Sequence, residues 1–319
     1  MLLIGVMTSG GDAPGMNAAV RAVVRSALHA GHKVVGIRRG LTGLLAEDMY
    51  RMDIGSVADI IYRGGTVLLT GRTDEFKTPE GQRKAVEAIR RNSIDGLVII
   101  GGDGSIIAGQ VLKSHGVAVN AIPATIDNDI PCSDVSVGFD TALNTICSAV
   151  DKIRDTAEAL ERTFIVEVMG RKTGFLALAS GLAVGATAIL VPEYPVDYSY
   201  VCSRLKRSIS RKKKHSIIIL AEGVGSAEFV AGQITSRMGA DIRVITLGHV
   251  QRGGTPTATD RILASRLGAK ATELLLAGQS GKFIGQMKGQ ITVTDFAEVL
   301  SCGKCLDREE YELANVLAI

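Results

Sequence analysis

The chain has 319 residues, enough for about two domains of ordinary size. Its 36 basic and 33 acidic side chains leave a net charge of +3, so no strong overall field favours nucleic acid or an acidic membrane surface. Trp is absent and aromatic residues make up 4%, which argues against base stacking as the main activity.

Apolar runs alternate with helix-like periodicity along the first half of the chain. The runs predict buried strands, and glycine-containing turns separate them from amphipathic helices. The predicted strands are residues 2–7, 34–37, 66–69, 97–100 and 117–122. The predicted helices are residues 18–30, 57–62, 79–91 and 106–114, and residues 40–43 are predicted as a turn.

The same alternation continues in the second half with different loop sequences. The predicted helices are residues 141–160, 200–210 and 259–277, with one more between 224 and 242. The predicted strands are residues 164–168, 188–191, 216–221 and 243–247, and residues 283–294 are predicted as a hairpin around Gly289. This order favours an α/β fold of two doubly wound domains, each with a mostly parallel sheet flanked by helices.

Residues 174–191 form an uncharged stretch at the lower limit of a membrane span. Because Gly185 and Thr187 interrupt it, we interpret it as a buried helix followed by a buried strand. No secretory leader is visible at the start, and the five scattered cysteines give no disulfide framework, so we expect a cytoplasmic protein. The lone Cys302-Gly-Lys-Cys305 pair cannot complete a four-ligand zinc site without distant partners.

Glycine loops follow several predicted strands, where α/β sheets place their ligands. Gly10-Gly11-Asp12 is equally consistent with a phosphate-binding turn and with a structural turn. Neither a Walker loop nor the dinucleotide fingerprint is present, which disfavours a nicotinamide dehydrogenase. Gly101-Gly102-Asp103-Gly104-Ser105 is more specific, because its glycines admit phosphates and Asp103 offers a ligand for Mg²⁺.

A loop bounded by Pro123 and Pro131 follows the strand predicted at 117–122 and carries two carboxylates, Asp127 and Asp129. In an extended segment these side chains would point the same way. Such a pair can hold a divalent cation and leave one carboxylate as a general base, or it can be two solvated loop aspartates.

The motifs together resemble the bacterial-type ATP-dependent 6-phosphofructokinase family. The resemblance covers essentially the whole chain: TSGGDAPGMNAA, GGDGS, TIDNDI, EVMGR, AEGVG, LGHVQRGG and DRILASRLGA. It implies phosphoryl transfer from MgATP to fructose 6-phosphate, the phosphofructokinase fold and a homotetramer with sites at subunit borders. It also implies a larger ATP-binding domain (1–138 and 256–304) and a smaller sugar-phosphate domain (139–255 and 305–319).

The resemblance assigns roles to individual positions. Asp127 is the implied base, and Arg72, Thr125 and Arg171 complete the implied catalytic set. ATP would be held by Gly11, Arg72, Thr73, Gly102, Asp103, Gly104 and Ser105, with Mg²⁺ on Asp103 and Asp129. The sugar phosphate would be held by Thr125, Ile126, Asp127, Arg162, Met169, Gly170, Arg171, Glu222, Arg243, His249, Val250, Gln251 and Arg252. Of these, Arg162 and Arg243 would reach it from a neighbouring subunit.

The family also has an effector pocket for ADP or phosphoenolpyruvate. The matching positions are Arg21, Arg25, Arg154, Gly185, Thr187, Arg211, Lys213, Lys214 and His215. From the residues alone, the basic run 211–214, with Arg204, Lys206 and Arg207 before it, reads as a solvated helix end. The resemblance explains this run better as part of the effector pocket.

Four positions depart from the family pattern. Ala124 replaces a glycine, which matters if that position needs a positive φ, and Leu41 replaces a tyrosine near the nucleotide. Thr73 replaces a cysteine, and Thr187 replaces an acidic residue of the effector pocket. We therefore expect a weak or altered response to ADP and phosphoenolpyruvate, which activity curves against fructose 6-phosphate would reveal.

Two alternative functions remain open at this level. Pyrophosphate-using relatives usually carry Asp and Lys at positions 104 and 124, where this chain has Gly104 and Ala124, so we favour ATP. A catalytically silent sugar-phosphate sensor is disfavoured because Asp103, Asp127 and Arg171 are all present.

Overall fold

The structure is a computed structural model that describes residues 1–318. Its strands are β1 (Leu3–Ser9), β2 (Lys33–Ile37), β3 (Met49–Met52), β4 (Gly96–Gly101), β5 (Val119–Pro123), β6 (Thr163–Val168), β7 (Ala188–Leu190), β8 (Ser216–Ala221), β9 (Ile242–Thr246), β10 (Lys282–Met287) and β11 (Gln290–Asp295). Its helices are α1 (Met16–His29), α2 (Gly40–Leu45), α3 (Pro79–Arg91), α4 (Asp103–Ser114), α5 (Phe139–Ala159), α6 (Phe175–Ala183), α7 (Tyr198–Ser210), α8 (Ala227–Met238), α9 (Ala258–Leu276), α10 (Phe296–Ser301) and α11 (Arg308–Leu317).

The described chain divides into two compact units. Unit 1 consists of Met1–Ile126, Ile130–Thr141 and Arg252–Lys304. Unit 2 consists of Asp127–Asp129, Ala142–Gln251 and the residues from Cys305 onward. The first turn of α5 therefore belongs to unit 1 and the rest of that helix to unit 2.

Unit 1 is built on a seven-stranded sheet in the order β11-β10-β5-β4-β1-β2-β3. The five inner strands are parallel, and the two edge strands, β3 and β11, pair antiparallel to their neighbours. From β1 the chain moves first to β2 on one side and later to β4 on the other. The strand order therefore reverses between β1 and β4, which is where such sheets bind ligands.

Helices cover both faces of this sheet, so its inner strands are apolar on both sides. All residues of β1, β4 and β5 are buried. On one face, α3, α4 and α10 contribute to a core that includes Met7, Leu97 and Phe283. Elsewhere in unit 1 α1 packs against α9, and the approach is close because a Cβ at Gly268 would lie 2.8 Å from the Ala19 carbonyl oxygen.

Unit 2 is built on a four-stranded, wholly parallel sheet in the order β7-β8-β6-β9. Helices α7 and α8 form a core with Ile165, Ile218 and Leu220. Helix α6 contacts both β7 and β8, and α11 contacts α6 and β7. The two sheets confirm the predicted α/β class with mostly parallel sheets flanked by helices.

Three local predictions are wrong. Residues 40–43 belong to helix α2, and the helix predicted at 57–62 is only a short 3₁₀ turn at Gly55–Val57. Residues 66–69 form no strand, because their backbone groups bond to side chains and to turn partners such as the Arg39 N–H instead of a sheet neighbour. Thr8 Oγ1 donates to the Leu69 carbonyl at 2.7 Å, and the Val67 N–H donates to Asn17 Oδ1 at 2.7 Å.

The uncharged stretch at 174–191 forms helix α6 and strand β7, as predicted. Gly185, with φ 61°, ends the helical segment before the strand begins. Within residues 1–318, no helix combines the length and the apolar character needed to cross a bilayer.

Candidate active site

Two glycine loops lie side by side at the reversal of strand order in unit 1. Ser9 at the end of β1 is in register with Gly101 at the end of β4, which is in register with Pro123 at the end of β5. The Ser105 hydroxyl donates to the Ser9 carbonyl at 3.4 Å, which ties the second loop to the first. The sheet thus brings the predicted nucleotide-binding residues Gly11 and Gly102–Ser105 to one edge.

The first loop faces the guanidinium of Arg252. A Cβ at Gly11 would lie 3.2 Å from Arg252 Nη1, so glycine lets the guanidinium approach the backbone. Arg252 Nη1 also lies 4.0 Å from Asp12 Oδ1. A residue predicted to bind sugar phosphate therefore lies directly beside one predicted to bind ATP.

The second loop leaves open space at the start of α4. A Cβ at Gly104 would meet no heavy atom within 4 Å, and one at Gly102 would come no closer than 3.8 Å to Thr125 Cβ. The Gly104 N–H donates to Asp103 Oδ1 at 2.7 Å. Since a helix N-terminus favours anions, this space suits a phosphate group, and the exposed Asp103 carboxylate supplies oxygen ligands.

The segment after β5 accommodates Ala124 without a positive φ. Ala124 bridges to Val137, its N–H donates to the Gly101 carbonyl at 2.9 Å, and its φ is not positive. A methyl group is therefore compatible with the backbone here.

The predicted geometry of the two aspartates, in contrast, is wrong. Asn128 between Asp127 and Asp129 has φ 53°, so this segment is not extended and the strand argument for their common direction fails. Asp127 is 5% exposed and Ile126 is 3% exposed. An ionisable side chain this deeply buried in a loop is typical of a functional position.

In unit 2, the ends of β6 and β8 bring Arg171 to Glu222. The Arg171 N–H donates to Glu222 Oε1 at 2.7 Å, and Arg171 Nη1 lies 3.9 Å from Asp129 Oδ2. Arg171 itself has φ 55°, and a Cβ at Gly223 would lie 2.6 Å from its carbonyl oxygen. Glycine at 223 is therefore required for this left-handed turn to pack against the end of β8.

The 3₁₀ turn Gly248–Arg252 contacts the end of β6 through Gln251. This side chain is fully buried, accepts from the Met169 N–H at 3.2 Å and donates to the Gly248 carbonyl at 2.9 Å. His249 and Val250 in this turn are exposed. The turn therefore lies beside Met169 and Gly170 at the end of β6, where the predicted sugar-phosphate residues are placed.

Arg162 and Arg243 lie at the other end of the same strands. Arg162 immediately precedes β6, and Arg243 is in register with Phe164 near the start of β6. Both guanidinium groups pair with Asp241, at 3.4 and 3.1 Å. A six-residue strand spans roughly 20 Å, so these arginines do not reach Arg171 and Glu222 of their own chain.

The ion pairs of Asp241 were not predicted from the sequence, although the spacing of Asp241 and Arg243 could have indicated one of them. Residues two apart in a strand share a face, so an acidic and a basic side chain at this spacing indicate a local ion pair. Asp241 therefore brings both guanidinium groups together at the start of these strands.

Arg72 and Thr73 lie in the irregular segment between β3 and α3. Arg72 is exposed, and Thr73 Oγ1 accepts from the Glu75 N–H at 3.2 Å.

Cys302 and Cys305 are exposed free thiols. Among residues 1–318 there is no group of three or more His, Cys, Asp or Glu suited to a metal.

Four predicted effector residues cluster in unit 2. Lys213 Nζ donates to Thr187 Oγ1 at 3.4 Å, and Arg154 donates to the Val184 carbonyl. Burial, followed by the charge of Arg154, lowers the pKa of Lys213, and burial with Arg154 and Lys213 lowers the pKa of His215.

The remaining effector positions belong to several different elements. A hydrogen bond from Lys214 to Glu161 raises the pKa of Lys214, which is exposed. Gly185 ends α6, Arg211 follows α7, and Arg21 and Arg25 lie on α1 of unit 1.

Comparison with known proteins identifies the family. A family model described as "Phosphofructokinase" matches residues 3–275. The chain is 54% identical to the ATP-dependent 6-phosphofructokinases of Halothermothrix orenii and of Clostridioides difficile, over 100% of both chains in each case. Phosphofructokinase from Saccharomyces cerevisiae superposes with a TM-score of 0.90 at 34% identity, over 94% of this chain and 45% of that one.

A pyrophosphate-dependent phosphofructokinase from Nitrosospira multiformis shares the fold, with a TM-score of 0.88 at 19% identity over 99% of this chain and 90% of that one. The match of the family model and the identity over whole chains agree with the motifs and the arrangement of strands. The chain therefore belongs to the phosphofructokinase family.

Proposed function

We propose that this protein is an ATP-dependent 6-phosphofructokinase. It transfers the γ-phosphoryl group of ATP to the 1-hydroxyl of fructose 6-phosphate, giving fructose 1,6-bisphosphate and ADP. The observation that carries the proposal is the 54% identity to enzymes of that name over the full length of both chains. The glycine loops and the buried Asp127 support it.

Asp127 acts as the general base that removes the proton from the sugar hydroxyl as the hydroxyl attacks. Its burial favours this role, because a carboxylate shielded from water interacts more strongly with the reacting group. Arg72 and Arg171 offset the negative charge on the transferred group. Positioning and electrostatic stabilisation therefore drive the reaction without a covalent intermediate.

The donor set fits Mg²⁺, which binds through oxygen ligands and commonly uses one or two carboxylates with water and phosphate. Asp103 and Asp129 are the side chains that would hold it. When bound, the ion neutralises phosphate charge. Asp103 lies at the start of α4, where the positive end of the helix dipole favours the phosphates of ATP.

The sugar phosphate is bound by two subunits. Met169, Gly170, Glu222 and the turn at 248–252 supply one side of the site. Arg162 and Arg243 lie at the opposite ends of β6 and β9 and so serve the site of a neighbouring chain. This arrangement supports a homo-oligomer, and we propose the homotetramer.

Replacing Asp127 tests the proposed reaction. Asp127→Ser should lower kcat by about 10²- to 10⁴-fold, because the base is removed. Binding of fructose 6-phosphate, measured by equilibrium dialysis, should persist. Asp151→Ser, which changes an exposed aspartate on α5, serves as the control and should keep wild-type turnover. Wild-type protein that binds both substrates and never turns over would support the sensor function instead.

The phosphoryl donor is tested at Gly104. The open space beside this residue accommodates the α-phosphate of ATP, and an aspartate there would place a like charge against it. Gly104→Asp should lower kcat/KM for ATP by about tenfold or more, since such repulsion exceeds about 1.4 kcal/mol. Gly303→Asp, at another exposed glycine with open space, is the matched control. Faster wild-type turnover with pyrophosphate than with ATP would reverse the donor assignment.

We also propose that the cluster of Arg154, Lys213 and His215 binds an anionic effector such as ADP or phosphoenolpyruvate. His215 Nε2 is buried and has no hydrogen-bond partner among the described residues, and a buried polar atom left unsatisfied supports a functional role for this cluster. Thr187, which contacts Lys213 in place of the acidic residue usual in the family, cannot hold a cation as strongly. This change supports a weak or altered effector response.

A further inference from the structure

A cavity of about 230 Å³ lies between α7 and α11 in unit 2. Its lining includes Tyr200, Ser203, Arg204, Arg207, Arg211 and Asn315. Of the proposed effector residues only Arg211 lines this cavity, and none of the proposed catalytic residues does.

Arg204 and Arg207 on α7, and Arg211 directly after it, follow the helical spacing i, i+3, i+7 and therefore lie on one face of the helix. Like charges at such a spacing repel each other and destabilise a helix. Among residues 1–318, no acidic side chain lines the cavity, and neither Arg207 nor Arg211 forms an ion pair. Within this part of the chain, positive charge is therefore concentrated at the cavity without an acidic side chain beside it.

Arg204 is held in place by contacts within the fold. It is only 8% exposed, whereas Lys206, Arg207 and the run at 211–214 are exposed. Its Nη1 donates to Asn315 Oδ1 at 2.6 Å, its Nη2 donates to the Asn315 carbonyl at 2.7 Å, and its guanidinium lies 5.4 Å from the Tyr200 ring centroid. These contacts fix one cationic wall of the cavity.

We propose that this cavity binds a compact oxyanion with two negative charges, either inorganic phosphate or a small phosphate monoester. Arginine presents planar donors that match phosphate oxygens, and Ser203 and Ser208 add hydroxyl groups at the wall. The volume suits a phosphate with a few carbon atoms. A bound dianion relieves the repulsion along α7 and links that helix to α11.

Equilibrium dialysis of the full chain against radiolabelled inorganic phosphate tests the proposal. Arg207 belongs to neither the proposed catalytic set nor the proposed effector set, so a difference between wild type and Arg207→Gln reports on this cavity. Arg207→Gln should weaken this part of the phosphate binding at least tenfold, the loss expected of one charge-assisted contact. Lys206→Gln removes an exposed charge from α7 outside the cavity and should change it less than about twofold.

Three results distinguish the outcomes. Displacement of the label by glycerol phosphate identifies a phosphate monoester as the ligand, and retention of the label identifies inorganic phosphate. Equal affinity of wild type and Arg207→Gln, or no binding by the wild type, overturns the proposal. Thermal unfolding midpoints without phosphate verify that both variants are folded. Because neither substitution touches the proposed active site, failure here leaves the proposed reaction intact.

Discussion

At the scale of single residues, Asp260 on α9 organises the start of α5. This fully buried carboxylate accepts from the Gly138 N–H at 2.8 Å, the Thr141 N–H at 2.8 Å and the Thr141 hydroxyl at 2.5 Å. Burial raises the pKa of Asp260 above its ordinary value, although these hydrogen bonds act to lower it. The first effect is larger, so the folded protein holds a proton on this group more tightly than the unfolded chain does.

The raised pKa has a defined effect on stability. Between the unfolded and folded pKa values the folded state binds more protons, so this group's contribution to the free energy of unfolding falls as pH rises through that window. Asp260→Asn removes the titration and some hydrogen bonding, and should destabilise by about 1–3 kcal/mol. Urea unfolding between about pH 4 and pH 7 should show the advantage of wild type over the variant decreasing with pH. An advantage that grows with pH would contradict this assignment.

At the scale of elements, helix α2 depends on a close backbone contact. A Cβ at Gly43 would lie 1.6 Å from the Arg38 carbonyl oxygen, a distance that forces the backbone to shift. Gly43→Ala should therefore destabilise by more than about 2 kcal/mol. Gly232→Ala on α8, where a Cβ would meet nothing within 4 Å, should instead be neutral or stabilising by up to about 1 kcal/mol. Chemical unfolding of the two variants gives the comparison, and equal stabilities would show that the backbone at Gly43 adapts freely.

Elements with local signals were predicted well from the sequence. Helix α3 has its predicted bounds, because Thr78 caps it through the Gly81 N–H, Pro79 opens it and Arg90 and Arg91 close it. Helix α2 was missed because Gly40 and Gly43 resemble a turn, and the reason glycine is needed there is a contact with Arg38 that no local pattern reveals.

In the candidate site, too, some features could be predicted from the sequence and others could not. The glycine loops and their common edge follow from the alternation of strands and helices. The left-handed backbone at Asn128 and Arg171 could not be predicted from the sequence, because both residues adopt it through tertiary context. The Asp241 pairing with two arginines likewise depends on the register of β6 and β9.

At the scale of the whole molecule, the role we propose for Arg162 and Arg243 in a neighbouring chain's site would make the activity a property of the assembly. Arg243→Ser and Asp127→Ser should each nearly abolish turnover alone, because each removes one half of every site. Mixed under conditions that allow subunit exchange, the two variants should regain part of the wild-type rate, since some sites then combine an intact Asp127 with an intact Arg243. Activity of the mixture no higher than that of the separate variants would place both residues in one chain's site.

The side chain of Asn17 has a further consequence. It is 1% exposed, donates to the Arg63 and Gly64 carbonyls at 3.0 and 3.2 Å, and accepts from Val67, so it fixes the segment that leads to Arg72. Replacing this amide by a carboxylate, as in Asn17→Asp, would set an oxygen against two carbonyl oxygens. Such a change would release the segment, and the nucleotide affinity that we propose for Arg72 would fall while both sheets stayed folded.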